Sequence, residues 1–168
     1  MQESANSLAG YAAVVITASD RCAAGTQTDV SGPLLVMLLR SAGAQVVDSK
    51  VLPDERDLLA SALREAARRA DLVLTTGGTG LAERDVTPEA TAAVCDRFVP
   101  GIAEQLRLHG TAQTPFAALS RAVAGIAGRA LVVNLPGSPA GAESGFRTLL
   151  PLLPHALALL TGHTEHRN

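Results

Sequence analysis

Three short β-rich runs, each followed by a polar or glycine-rich loop and then by a helical stretch, limit the folds open to this chain of 168 residues. YAAVVIT (Tyr11–Thr17), AQVVDSKVL (Ala44–Leu52) and DLVLTT (Asp71–Thr76) read as strands, and the first is apolar enough to be buried on both faces. After the first run a helix is expected over PLLVMLLRSAG, opened by Ser31 or Gly32, with Pro33 in its first turn and Gly43 ending it. After the second, Leu58, Leu59, Ala62, Leu63, Ala66 and Ala70 recur at helical spacing within Asp54–Ala70. Strands that alternate with helices pair in parallel, because the chain must cross back over the sheet between them. The expected fold class is therefore α/β, with a mainly parallel sheet covered on both faces.

The rest of the chain continues in the same manner. Thr87-Pro88 reads as an N-cap and first-turn proline opening a helix towards Arg97, and Ile102–His109 as another helix. Ala122–Ile126 and Ala130–Leu135 suggest a short C-terminal hairpin turning at Ala127-Gly128. Ala140–Leu160 supplies the last helical material, broken by Pro151 and Pro154. With aromatics at 2% and no Trp, the core has to be built from Ala, Val, Leu and Ile. A single domain is expected over 11–162, with Met1–Gly10 as a mobile tail and 163–168 as a C-terminal tail.

Several classes of function are disfavoured. Net charge is −2 and the basic residues, all arginine except Lys50, are scattered rather than striped, so nucleic acid is not an expected partner. No apolar run approaches the ~20 residues that span a membrane. The N-terminus has no basic segment of the signal-peptide kind, and a cytoplasmic location is expected. Cys22 and Cys95 form no CxxC pair and read as idle thiols. His109, His155, His163 and His166 have no metal-ligand spacing and read as surface residues.

Ligands of parallel sheets bind beyond the carboxyl ends of the strands. Four unusual segments follow strands here: Ser19-Asp20-Arg21, Pro53-Asp54-Glu55, GGTGLAERD (Gly77–Asp85) and NLPGSP (Asn134–Pro139). All four should lie on one rim. Gly77, Gly78 and Gly80 allow positive φ and close approach of a ligand, and with Thr79 they can form an anion-binding nest or simply a tight turn. There is no Gly-Lys-Ser/Thr as a P-loop requires, and Glu83 stands where a dinucleotide fingerprint needs its third glycine. Asp54 and Asp85 each admit two readings, as charges favoured at a following helix N-terminus or as Mg²⁺ ligands beside bound phosphates. Ser19 and Asp20 serve a turn or a ligand. Arg121, after Ser120, pairs with phosphate or stays a surface charge. Asn134 reads a heterocycle's edge or caps its own turn. Glu83 and Glu89 read as solvated helix-end charges.

Taken together, TASDRCAAGTQTDVSGPLL, VLPDERD, LVLTTGGTGLAERDVTPEAT, FVPGIAEQLR and LSRAVAGIAGRALVVNLPGSP make the chain similar to the molybdenum-cofactor biosynthesis family of the MogA/MoaB type. Molybdopterin adenylyltransferases and the homologous domain of gephyrin belong to it. The similarity runs from about Ala12 to Leu160. It implies a three-layer α/β/α sandwich assembled as a homotrimer, sometimes a hexamer, and transfer of AMP from Mg-ATP to molybdopterin with release of pyrophosphate. A molybdenum-insertion enzyme is the partner it suggests. By the same resemblance Asp54 and Asp85 serve Mg²⁺ and nucleotide activation. Gly77, Gly78, Thr79, Gly80, Thr87, Ser120, Asn134, Pro136, Gly137, Ser138 and Pro139 line the molybdopterin and ATP pocket, and Ser19 and Asp20 match the family's first-strand loop. Some MoaB-type members lack the acid of the PDE segment and do not adenylylate; retention of both aspartates favours the enzyme over a non-catalytic molybdopterin carrier.

Overall fold

The computed structural model describes residues 7–162. Strands β1 (Ala12–Ala18), β2 (Gln45–Leu52), β3 (Leu72–Thr76), β4 (Arg97–Phe98), β5 (Ala124–Ala127) and β6 (Ala130–Leu135) form one sheet in the order β2-β1-β3-β6-β5-β4. The first four in that order run parallel, while β5 pairs antiparallel with both β6 and β4. The expected mainly parallel sheet with a C-terminal hairpin is the one observed. Helices α1 (Asp20–Ala23), α2 (Ser31–Ser41), α3 (Arg56–Ala67), α4 (Thr87–Ala92), α5 (Pro100–Thr111), α6 (Pro139–Leu149) and α7 (Leu153–Thr161) connect the strands, with a 3₁₀ turn at Pro115–Leu119.

The period of two in a strand sends alternate side chains to opposite faces, and both faces here are covered. Ala13 and Val15 of β1, Leu72 and Leu74 of β3 and Leu131, Val133 and Leu135 of β6 pack with Leu35 and Leu39 of α2 and with Phe146, Leu149, Leu153 and Leu157 of α6 and α7. Val14, Ile16, Val73 and Val132 point the other way, into Leu59, Leu63 and Ala66 of α3 and Ala90 of α4. The result is three layers built almost wholly of aliphatic side chains.

Departures from the expected boundaries have local causes. Helix α3 starts two residues after Asp54, because Asp54 is engaged elsewhere and Glu55 is the N-cap. Helix α4 ends at Ala92 rather than near Arg97, because Arg97 and Phe98 leave to pair with β5. That two-residue edge strand has no alternating apolar pattern to reveal it. Pro151 lies between α6 and α7, but Pro154 sits in the first turn of α7, where a missing N–H costs nothing, and so starts that helix instead of breaking it. Burial pushes the Cys95 thiol up to about 11, in keeping with an idle group, and both cysteines are free and half-buried. His109 and His155 are exposed as expected; His163 and His166 lie outside the described residues, as do Met1–Asn6 and the rest of the C-terminal tail.

The described part of the expected N-terminal tail is partly fixed. Leu8 is fully buried in the α2 and α6 layer, and its N–H donates to the Ala42 carbonyl at 2.8 Å. Leu8→Ala is therefore expected to lower the unfolding free energy by about 2–5 kcal/mol, as other buried leucine truncations do, in a urea titration. A loose tail would leave the midpoint unchanged.

Candidate active site at the carboxyl ends of the strands

The chain leaves β1 for β2 on one side and returns across β1 to β3 on the other, so the loops after β1 and β3 diverge and open a crevice. Ser19, directly after β1, caps the one-turn helix α1, its Oγ accepting from Cys22 N at 3.2 Å. Asp20 then meets Asp54 in a reciprocal clamp. The Asp20 N–H donates to Asp54 Oδ2 and the Asp54 N–H to Asp20 Oδ1, each at 2.9 Å. The side chain of Asp54 is thus turned across to the loop after β1 and does not cap α3, which removes the capping reading.

The clamp leaves the two carboxylates in different states. Arg84 forks onto Asp20, with Nε to Oδ2 at 2.6 Å and an Nη to Oδ1 at 2.9 Å. These hydrogen bonds hold Asp20 below the usual carboxylate range. Asp54 has no such cation in contact, and its Oδ1 is buried without a hydrogen-bond partner. Burial, with Asp20 and Asp85 adding like charge, pushes Asp54 above the usual range.

The glycine loop faces this orphaned oxygen. Gly77 and Gly78 both have positive φ, +93° and +67°. A methyl on Gly78 would lie 3.0 Å from Asp54 Oδ1 and 2.2 Å from Thr87 Oγ1, and one on Gly80 would lie 2.8 Å from Asp85 Oδ2. Glycine is required at Gly78 by close approach as well as by conformation, whereas Gly80, whose φ is not positive, is crowded by Asp85 alone. Asp85, half-buried, accepts from Ala82 N at 3.0 Å and closes its own turn. Gly77 also backs onto the β6 loop, where a methyl on Gly137 would sit 3.1 Å from Gly77 Cα. Ser138 caps α6 through Gly141 N, with Pro139 in the first turn.

Two cavities meet at Ser138. One, of about 550 Å³, is bordered by Ser19, Asp20, Asp54, Gly77, Gly78 and Asp85, together with Gly137, Ser138 and Pro139. The other, of about 270 Å³, is bordered by Thr79, Gly80, Ser120, Asn134, Pro136 and Ser138 and walled by Leu106, Phe116 and Leu119. The four strand-end segments therefore share one rim. Two side chains expected to meet a ligand are spent inside the protein. Asn134 is fully buried; its amide nitrogen donates to Thr75 and Thr91 hydroxyls at 3.0 and 2.9 Å, and its oxygen accepts from Val123 N at 3.2 Å, leaving no donor for a heterocycle. Thr87, also fully buried, donates to the Gly77 carbonyl at 2.9 Å, so it pins the glycine loop and neither caps α4 nor faces a cavity. Asp29 was missed: its carboxylate accepts from Thr17 Oγ1 at 2.7 Å and Gly32 N at 3.0 Å, capping α2 at the cavity wall. An aspartate two residues ahead of Ser31, able to accept from a first-turn N–H of the helix over PLLVMLLRSAG, was the available signal.

A probable molybdopterin-binding domain model matches residues 14–155. The chain belongs to this family. It is 37% identical over 153 residues to the molybdopterin adenylyltransferase of Helicobacter pylori, covering 89% of the chain and 87% of that protein. It is 43% identical over 150 residues to the molybdenum cofactor synthesis protein cinnamon of Drosophila melanogaster, covering 87% of the chain but only 25% of that longer protein. Among solved structures, the molybdopterin biosynthesis enzyme MoaB of Thermus thermophilus superposes with a TM-score of 0.85 at 47% identity, covering 90% of the chain and 97% of that one. Every rim residue named above lies within the stretch matched to the molybdopterin-binding domain family.

The Asp54 environment has a measurable consequence. Because its folded-state pKa is raised, the folded protein holds that proton more tightly than the unfolded chain. The contribution of this group to stability is thus present at low pH and is lost as pH rises through its folded value. Asp54→Asn removes the charge while an amide oxygen still accepts from Asp20 N. Its thermal midpoint at pH 7 is expected to equal or exceed that of wild type, with the gap closing in acid; a variant less stable at pH 7 would contradict this.

Proposed function

We propose that the chain is a molybdopterin adenylyltransferase, transferring AMP from ATP to the terminal phosphate of molybdopterin with release of pyrophosphate. The observation that carries the reading is the orphaned, buried Oδ1 of Asp54, facing a glycine loop that also holds Asp85. An unpaired carboxylate oxygen in such a place is costly unless a cation meets it. Hard carboxylate oxygens beside a phosphate-sized cavity suit Mg²⁺, so the residues present fit that ion, with Asp54 and Asp85 as its protein ligands. When bound, Mg²⁺ supplies the positive charge that neutralises the nucleotide phosphates. No described helix is long and apolar enough to cross a membrane.

The remaining work falls to the chain. Positive φ at Gly77 and Gly78 lets the backbone approach phosphate oxygens without a Cβ in the way. The apolar walls of the smaller cavity suit a flat heterocycle, with Thr79 and Ser120 hydroxyls at its edge. A ligand lying across Ser138 would place its heterocycle in one cavity and its phosphates in the other. Holding both substrates this way converts an encounter of two anions into a reaction within one complex, the main source of catalysis in phosphoryl chemistry. The phosphate oxygen of molybdopterin then attacks the α-phosphorus of ATP, and the bond to the pyrophosphate oxygen breaks. Assembly as a trimer and a cytoplasmic location go with the same proposal, as does a molybdenum-insertion enzyme as recipient of the product.

The test is incubation with molybdopterin, ATP and Mg²⁺. Wild type is expected to form adenylyl-molybdopterin, and Asp54→Asn and Asp85→Asn each to lose about 10²-fold or more in kcat while still binding the pterin. Tight pterin binding without ATP turnover would instead make the chain a carrier and overturn the proposal.

A further inference from the structure

Asp85 lies at the end of an exposed excursion, Leu81–Arg84, that no core side chain anchors. A ligand-holding carboxylate has to be fixed to within about 0.5 Å. The short turn made by Ala82 and Asp85 closes the excursion on itself and the Arg84 fork ties its end to Asp20 after β1, but neither ties it to the β5 side of the sheet. Arg121 does so. It comes from the segment before β5, and its own N–H donates to the Thr79 carbonyl at 2.8 Å. Its Nε donates to the Gly80 carbonyl at 2.7 Å, one Nη donates to the Asp85 carbonyl, and the other pairs with the Glu89 carboxylate in the first turn of α4. One planar fork thus grips the chain just before the excursion, just after it, and on the helix that follows. The segment carrying Arg121 is held in turn by Arg107 of α5, whose Nη donates to the Ser120 and Ala122 carbonyls at 3.2 and 2.9 Å.

We propose that Arg121 is a positioning residue: it holds the Gly80–Asp85 excursion closed so that the Asp85 carboxylate stays against Gly80. The inference rests on the adenylyltransferase reading for its kinetic consequence and on the geometry alone for its mechanical one. All three guanidinium nitrogens of Arg121 donate to the protein, so it is built into the loop and is not an idle surface charge. Its pairing holds Glu89 below the usual carboxylate range, so the anchor stays ionised at neutral pH. Lysine cannot replace it, because a point charge on a flexible stem does not span two carbonyls and a carboxylate together.

The experiment compares full-length wild type, Arg121→Met and Arg121→Lys. Amide hydrogen exchange is measured first, without substrates or metal, using β1, β3 and β6 as internal reference. Arg121→Met is expected to speed exchange at the Ala82 and Asp85 amides about tenfold or more while the reference strands stay unchanged. Adenylylation kinetics should then show kcat lower by about 10–10²-fold, the range seen when a reacting group is misplaced by an ångström or less, with KM for ATP within about threefold of wild type. Arg121→Lys should recover less than half of the lost kcat. Unchanged exchange in the excursion, equal acceleration in the reference strands, or a loss confined to KM for ATP would each overturn the proposal. If wild type itself proves inactive, the adenylyltransferase reading fails, and the exchange result still decides whether Arg121 holds the loop.

Discussion

The rim depends on backbone meeting backbone at Gly77. The residue leaves β3 with φ of +93°, and a side chain there would lie 2.3 Å from the Ala18 carbonyl of β1. On its other side it meets Gly137 of the β6 loop, and its N–H donates to the Leu135 carbonyl at 3.2 Å. Three strand ends are thereby drawn together around one residue that has no side chain. Any larger residue would be strained in conformation and would also force the β1 and β3 loops apart. The crevice of a parallel sheet arises from topology; its narrowness here arises from this contact.

Around that point the polar groups fall into two sets. Thr76, Thr87, Asn134 and Ser138 use their side chains to satisfy nearby backbone or neighbouring hydroxyls: Thr76 donates to the Pro136 carbonyl at 2.7 Å, Thr87 to Gly77, Ser138 accepts from Gly141 N, and Asn134 joins Val123, just before β5, to Thr75 of β3 and Thr91 of α4. Thr76, Thr87 and Asn134 are fully buried, and buried polar groups of this kind fix geometry when every member is satisfied. Asp54 and Asp85 belong to the second set, with oxygen atoms turned to the glycines. The first set makes the loops rigid enough for the second to be useful.

The fold was legible in the sequence because it is written locally. Apolar runs in β1 and β3, helical spacing in α3 and first-turn prolines in α2 and α4 are short-range patterns, and each produced the element it implied. Parallel pairing then followed from their order. β4 was not legible, since Arg97 and Phe98 become a strand only because β5 presents an unpaired edge. Site residues were legible as a set but not in their roles. Pro53-Asp54-Glu55 looks the same whether the acid caps α3 or reaches β1, and the deciding partner, Asp20, is 34 residues away. Asn134 and Thr87 sit in motif positions that invite a ligand, yet their partners lie on other elements. Arg121 reaches carbonyls 36 and 41 residues distant, contacts no local pattern encodes.

The reciprocal pair Asp20 and Asp54 shows how one residue type is given two tasks. Each accepts the other's N–H, so the clamp itself is symmetric. What breaks the symmetry is Arg84, which forks onto Asp20 alone. Asp20, partly exposed and paired, is held ionised. Asp54, more buried and with no cation in contact, is left with an oxygen that nothing in the protein satisfies. A mutation that moved the arginine to Asp54 would satisfy that oxygen and strengthen the apo fold, but it would also fill the position a metal would take. The unmet oxygen is a cost in stability of the kind enzymes carry at their reacting centres, and it is what sets Asp54 apart from its partner.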